Sequence, residues 1–263
     1  MKILFIGDIV GRGGREAVRE LLPRIQREEG IDLSVANGEN AAGGTGITPK
    51  IMNQLFFCGV DIITSGNHLW DKKEIIPTID KERRLLRPAN YPPGVPGLGS
   101  TVAETASGLR IGIINLSGRV FMPALDCPFR TAEREIEKLR KKTQLILVDI
   151  HAEATSEKIA MGWFLDGKVS AVVGTHTHVQ TADERIMPQG TAYITDVGMT
   201  GSAESVIGVK TDLILRRFLT QLPVRFEPAE EDIYLSAVVL DLNPSTGKAN
   251  SIERVRMRWE GGG

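Results

Sequence analysis

A chain of 263 residues can bury a sizeable core and still close as one α/β domain, expected here over 1–263. Lys and Arg number 32 against 33 Asp and Glu, and the net charge of -1 with a pI near 6.5 removes the electrostatic case for wrapping duplex nucleic acid. No run approaches the ~20 apolar residues of a membrane helix, the apolar start is too short for a signal peptide and ends at Asp8, and Cys58 and Cys127 form no C-x-x-C pair or disulfide framework, so a cytoplasmic protein is expected.

Strand-like runs and helical patterns alternate through the first half. Lys2 to Ile6 reads as a strand, followed by a glycine-rich turn and a helix from Arg15 to Glu28 with Val18, Leu21, Leu22 and Ile25 on one face. Leu33 to Ala36 is the next strand. Thr48 as cap, Pro49 at the first helical position and Gly59 past the end predict a helix from Pro49 to Cys58. The strand Val60 to Thr64 follows, and the strand–helix order predicts parallel pairing with right-handed crossovers. Four prolines and three glycines between Arg87 and Ser100 exclude regular structure there. Thr101 to Thr105 and Leu109 to Leu116, joined at Ser107-Gly108, form a hairpin and bring in antiparallel pairing. Thr131 to Lys142 is a charged helix with Ile136 and Leu139 inward, and Ser156 to Leu165 is another, capped by Ser156. Each leads toward an apolar run, Leu145 to Val148 and Val169 to Val173. Thr191 to Asp196, Ile233 to Leu242 and Ser251 to Trp259 are strands, with a turn at Asn243 to Gly247 and a helix from Thr211 to Leu219. Parallel strands first and hairpins later predict two packed mixed sheets with helices outside. The tail Gly261-Gly262-Gly263 is expected as a frayed end.

All four histidines, His68, His151, His176 and His178, stand at or just beyond the ends of such runs, as do Asp8, Glu39, Asn40 and Asn67. Ligands of open α/β sheets bind outside the carboxyl ends of the strands, so these segments can meet in one crevice. Their carboxylates, imidazoles and amide oxygens suit a pair of divalent transition ions. The spacing of His176 and His178 aims two imidazoles into a small volume, and His151, after Leu-Ile-Leu-Val-Asp-Ile, needs a partner or an ion. Glu39, on a turn opened by Gly38, can bridge two cations ~3.5 to 4 Å apart, and Asn67 offers a neutral oxygen that leaves positive charge for a phosphate. Capping or turn roles for Asp8 and Glu39 are the alternatives. Gly11-Arg12-Gly13-Gly14-Arg15 lacks the Lys-Ser/Thr pair of a P-loop, and Glu16 stands where a dinucleotide fingerprint has its third glycine. That loop is either a flexible entry to the helix or a substrate contact through Arg12.

Together, Asp8, Gly38-Glu39-Asn40, Gly66-Asn67-His68, His151 and Gly174-Thr175-His176-Thr177-His178 resemble the five blocks of the calcineurin-like metallophosphoesterase superfamily. Asn37-Gly38-Glu39-Asn40 with Gly66-Asn67-His68-Leu69-Trp70 resembles its bacterial YmdB-like subgroup in particular. Two positions depart from the wider pattern: Val10 stands where Asp-x-His has its histidine, and Glu39 stands where the bridging residue is usually Asp.

The resemblance implies a four-layer αββα sandwich. It implies one ion held by Asp8, Glu39, Asn40 and His178 and a second held by Glu39, Asn67, His151 and His176, with iron ahead of manganese or zinc and a divalent or mixed-valence pair. It also implies hydrolysis of a phosphodiester, a cyclic nucleotide, by a metal-bridging hydroxide, with His68 as proton donor. Orienting Asn67 is the alternative role for His68. Competing functions are a phosphomonoesterase on small or protein-borne phosphates and a metal-binding regulatory protein with little turnover. A Rossmann-type protein fails on the fingerprint and leaves the histidines unexplained. Residues that grip the rest of the substrate are not identified by the sequence, and self-association as a homo-oligomer is compatible with it.

Overall fold

Both faces of the central strands are apolar, which is why they read as unbroken runs rather than as alternating ones. In β1 (Lys2–Ile6), Ile3 and Phe5 enter one core while Leu4 and Ile6 enter another. In β7 (Leu145–His151), Leu145 and Leu147 enter the same core as Ile3, and Ile146, Val148 and Ile150 enter a third. The first of these cores lies between two sheets, and each of the others lies between one sheet and its helices. Complete burial of each such Leu, Ile or Phe contributes roughly 1.5–3 kcal/mol.

The computed structural model describes residues 1–261. In chain order the elements are β1, β2 (Asp8–Ile9), α1 (Gly11–Glu29), β3 (Leu33–Asn37), α2 (Pro49–Phe57), β4 (Ile62–Thr64), α3 (Ile76–Ile79), β5 (Ser100–Glu104), β6 (Arg110–Ser117) and α4 (Pro128–Arg140). After β7 come α5 (Thr155–Leu165), β8 (Ala171–Thr175), β9 (Arg185–Ile186), β10 (Ala192–Ile194), β11 (Met199–Ser202), α6 (Thr211–Thr220), β12 (Ile233–Leu242) and β13 (Ala249–Arg258). One sheet has the order β2-β11-β12-β1-β3-β4 with β13 added on β12, and the other has β5-β6-β7-β8-β10-β9. Both are mixed: β1, β3 and β4 are parallel, as are β6, β7 and β8, whereas β12 runs against β1 and β5 against β6. Helices α1 and α2 cover the first sheet, and α4 and α5 cover the second. The expected αββα sandwich is the observed one.

Thr48 caps α2 as the sequence indicates, its Oγ1 accepting from the Ile51 N–H at 3.3 Å. Ser156 does not cap α5. The helix begins one residue earlier, after Ala154, and its start is tied down from outside by Glu157, whose Oε2 accepts from the Arg119 N–H at 3.0 Å and the Val120 N–H at 3.2 Å. The strand expected from Val60 begins at Ile62, and that expected over Thr191 to Asp196 is trimmed to β10, because the flanking residues turn into loops. Strands β2, β9 and β11 and the short helix α3 were not legible as elements. The glycine-rich segment is also different from the expected loop: Gly11 to Arg15 form the first turn of α1. Gly11, at φ +63°, donates its N–H to the Asn40 carbonyl at 3.0 Å, and Arg15 Nη1 donates to the Ala41 carbonyl. This turn grips the Glu39–Asn40 loop from behind. Gly262 and Gly263, in the tail expected to fray, lie outside the described residues. Among the described residues no helix is long and apolar enough to cross a membrane.

A Cβ on Gly14 would run into the Thr200 carbonyl of β11. Gly14→Ala should therefore push α1 off the sheet at a cost of about 1–3 kcal/mol, read as a lower urea midpoint at unchanged slope. A midpoint equal to that of the parent chain would show that the helix can shift freely.

Candidate metal centre

Parallel strands β1, β3, β4, β7 and β8 end at the same edge of the sandwich, where their next residues deliver the polar side chains noted in the sequence. His151 is the last residue of β7 and is fully buried. Its Nε2 lies 2.8 Å from Glu39 Oε1, 3.2 Å from Asn67 Oδ1 and 2.9 Å from His176 Nδ1. The second nitrogen is occupied elsewhere. Thr175 Oγ1 donates its proton to Asp149 Oδ1 at 2.8 Å, so at 2.9 Å from His151 Nδ1 it accepts the ring N–H. Nε2 is left to face three lone-pair donors.

The other expected residues lie beside this cluster. Asp8, buried on β2, uses Oδ2 to accept the His176 N–H at 3.1 Å, while Oδ1 has no hydrogen-bond partner and sits 4.0 Å from His178 Nε2. His178 Nδ1 donates to the Ile207 carbonyl at 2.8 Å, which turns Nε2 toward Asp8. Asn40 donates through Nδ2 to the Gly44 carbonyl at 3.0 Å, and its buried Oδ1 has no partner. Two orphaned buried oxygens would each cost about 1–3 kcal/mol. Unpaired oxygens, a carboxylate and imidazole nitrogens with their other ring atom already bonded are what a cation requires, so the residues fit the metal pair that the family pattern implies. Glu39, His151 and His176 in particular present ligand atoms all within 4.8 Å of one another.

Close approach depends on small residues and a bent backbone. A Cβ on Gly66 would strike the His151 ring and lie 2.6 Å from Glu39 Oε2. His176 and His178 have φ of +100° and +66°, uncommon for residues with a Cβ. A buried ion pair holds their turn in place: Lys158 Nζ reaches Asp196 Oδ2 at 2.6 Å and the Thr175 carbonyl at 2.9 Å, and Asp196 Oδ2 also accepts from the Thr177 N–H at 3.1 Å and from Thr177 Oγ1 at 2.7 Å.

His68 stands at the rim. Its backbone N–H donates to Glu39 Oε2 at 2.9 Å, and its half-exposed ring is held through Nδ1 by Asp71 Oδ2 at 2.9 Å. Sequence reasoning missed Asp71, although its spacing of three from His68 is a signal. It also missed Glu153, whose Oε2 lies 3.1 Å from His176 Nε2, and Asn37, whose Oδ1 accepts the Glu39 N–H at 3.1 Å and whose Nδ2 reaches toward Thr175 Oγ1. Lys158 and Asp196 are 38 residues apart and carry no local signature.

Burial pushes the Glu39 carboxyl up, but the adjoining His151 ring more than reverses this and holds it below the usual carboxylate range. Burial likewise lowers His151, and Glu39 overrides it, raising the ring to about 9. His176, lowered to about 3 by burial and by His151, is neutral and ready to ligate. Burial raises Asp8 despite the neighbouring histidines.

A two-sheet sandwich with carboxylate, amide and imidazole donors at its strand ends defines a protein of the metallophosphoesterase class. A family model described as YmdB-like protein matches residues 4–255, and the chain belongs to that family. A Bacillus subtilis (strain 168) protein named 2',3'-cyclic-nucleotide 2'-phosphodiesterase is 53% identical over 97% of this chain and 96% of its own length. Two solved structures superpose with a TM-score of 0.92: a hypothetical protein from Thermus thermophilus, 42% identical over 98% of this chain and 99% of that one, and a Mycoplasma pneumoniae protein described as a novel phosphatase, 35% identical over 98% and 93%.

Ligation needs a neutral His151, whereas in the metal-free chain its ring stays protonated up to about 9. Metal uptake at pH 7 should therefore release about one proton per chain from this ring, and affinity should climb with pH until about 9 and then level off. Titration calorimetry in two buffers of different ionisation enthalpy reads the proton directly. An uptake with no proton released would mean that this ring gives up no proton when metal binds.

Proposed function

We propose that the chain is a metal-dependent phosphodiesterase that opens 2′,3′-cyclic nucleotides, working as one domain. The convergence of Glu39, Asn67 and His176 on His151 Nε2, in a chain 53% identical to a 2',3'-cyclic-nucleotide 2'-phosphodiesterase, carries this reading. Asp8, Glu39, Asn40 and His178 would hold one ion, and Glu39, Asn67, His151 and His176 a second, with Glu39 shared. Iron is our first assignment, and manganese and zinc suit the same donors. Bound cations of this kind lower the pKa of coordinated water and neutralise charge gathering on the phosphoryl oxygens.

The protein's own contribution is placement and proton supply. With Asn40 and Asn67 neutral, Asp8 and Glu39 are the only carboxylates in the proposed donor set, so the site keeps net positive charge for an anionic substrate. Asp8 Oδ2 and Glu39 Oε2 are fixed by the backbone N–H groups of His176 and His68, so neither carboxylate can rotate away. Asp71 holds His68 Nδ1, leaving Nε2 to pass a proton to the departing ribose oxygen as the P–O2′ bond breaks and water oxygen bonds to phosphorus. The product is the 3′-monophosphate. The free thiols of Cys58 and Cys127 fit a reducing, cytoplasmic setting.

His68→Ala should lower kcat on 2′,3′-cyclic adenosine monophosphate by about 10²- to 10⁴-fold while elemental analysis finds the metal content unchanged. Full turnover by this variant would remove His68 from the mechanism. Glu39→Ala, by contrast, should lose both ions together, measured on protein purified without added metal. Turnover of the cyclic nucleotide should far exceed that of the 2′- and 3′-monophosphates, and the reverse preference would make the protein a phosphomonoesterase.

A further inference from the structure

Beside His178 the surface opens into a cavity of about 510 Å³. It lies at the same edge of the sandwich as the donors. Strand β12 runs against β1 with Ala237 opposite Ile6, so Tyr234 projects beyond the carboxyl end of β1, toward the level of Asp8. Strand β11 connects the two places: Met199 pairs with Asp8, and Gly201, two residues on, pairs with Tyr234. Met199, Tyr234 and His178 all line the cavity. Four other surface grooves among the described residues, one of them walled by Arg12, Arg19 and Lys50, are lined by none of the proposed ligands.

One wall has a definite chemistry. The Arg256 guanidinium lies over the Tyr234 ring, 4.5 Å from its centroid, and the neighbouring Arg254 is held by Glu184 Oε1 at 2.8 Å. An aromatic ring backed by a planar cation is a stacking platform for a nucleobase, tolerant of base identity because every base has a π face. The volume is within the range of small-ligand sites. A substrate whose phosphate sits at Asp8 and His178 would need its base to enter an immediately adjoining space, because only the ribose separates them.

We propose that this cavity is the nucleoside subsite, with the base stacked on the Tyr234–Arg256 pair and the cyclic phosphate at the adjoining donors. The proposal rests on the cyclic-nucleotide reading above and adds to it the residues that select a nucleoside over other phosphodiesters. It also separates two roles: the donors act on phosphorus, and Tyr234 with Arg256 recognise what is attached to it.

The test compares kcat/KM for 2′,3′-cyclic adenosine monophosphate with that for bis(p-nitrophenyl) phosphate in the metal-loaded full chain. Tyr234→Ala should lower the ratio about tenfold through KM, the scale of one lost base–aromatic stack, while Tyr234→Phe should restore it. A ratio unmoved by Tyr234→Ala, or lowered equally by Tyr234→Phe, would overturn the assignment. Binding to the parent chain gives a second readout that needs no variant: adenosine 3′-monophosphate should bind about tenfold tighter than inorganic phosphate, and equal affinities would also overturn it. If the parent chain left the cyclic nucleotide intact yet showed that preference in binding, the hydrolysis reading would fail and the subsite would stand.

Discussion

A buried imidazole nitrogen facing only lone pairs organises this molecule. His151 Nε2 has Glu39 Oε1, Asn67 Oδ1 and His176 Nδ1 within 2.8 to 3.2 Å, and the N–H on the other side of the ring is already engaged by Thr175. Such a cluster repels itself unless a proton or a metal ion sits at its centre. The surrounding structure keeps it together in spite of that. Gly66 lets β4's loop come down on the ring, Thr175 and Asp149 fix its rotation, and the first turn of α1 presses the Glu39 loop inward. Contributions come from both sheets, so their packing is what brings the donors into register.

The turn bearing His176 and His178 shows how strain is held at such a place. Two non-glycine residues at positive φ persist only where their neighbours leave no alternative. Here Lys158 reaches from α5 to the buried Asp196 just past the end of β10, and Asp196 accepts both the N–H and the hydroxyl of Thr177 between the two histidines. Breaking one member of a buried pair leaves an uncompensated charge, so the clamp is stiff. Its stiffness is delivered to the two rings on either side of Thr177.

The fold was legible wherever burial on both faces made a strand continuously apolar, as in β1, β3 and β7, and wherever capping chemistry was local, as at Thr48. It was not legible in β2, β9 and β11, which are two to four residues long and pair only because longer strands are already in place. Ser156 misled because the helix already starts at Thr155, which puts this serine inside the first turn and not at the cap, while Glu157 reaches outward to the Arg119 N–H. Gly11, Gly13 and Gly14 suggested a loop, whereas they serve close packing against β11, β12 and Asn40. Within the site, the residues expected as ligands were marked by their positions at strand ends. Asp71 and Glu153 hid among ordinary surface carboxylates, and the Lys158–Asp196 pair is defined by distance in space alone. Periodicity reports what a residue packs against, not which distant partner it meets.

The proposed ligands come from five segments spread between Asp8 and His178, with β7 and β8 following a long stretch of unrelated chain. A growing chain holds a full set only once His178 has been made, and the first sheet is complete only with β12 and β13 near the C-terminus. The proposed cage would therefore be complete only after both sheets have packed together, late in the life of the polypeptide. Selection among ions would then fall to a preformed cage and not to scattered side chains competing for metal on an unfolded chain.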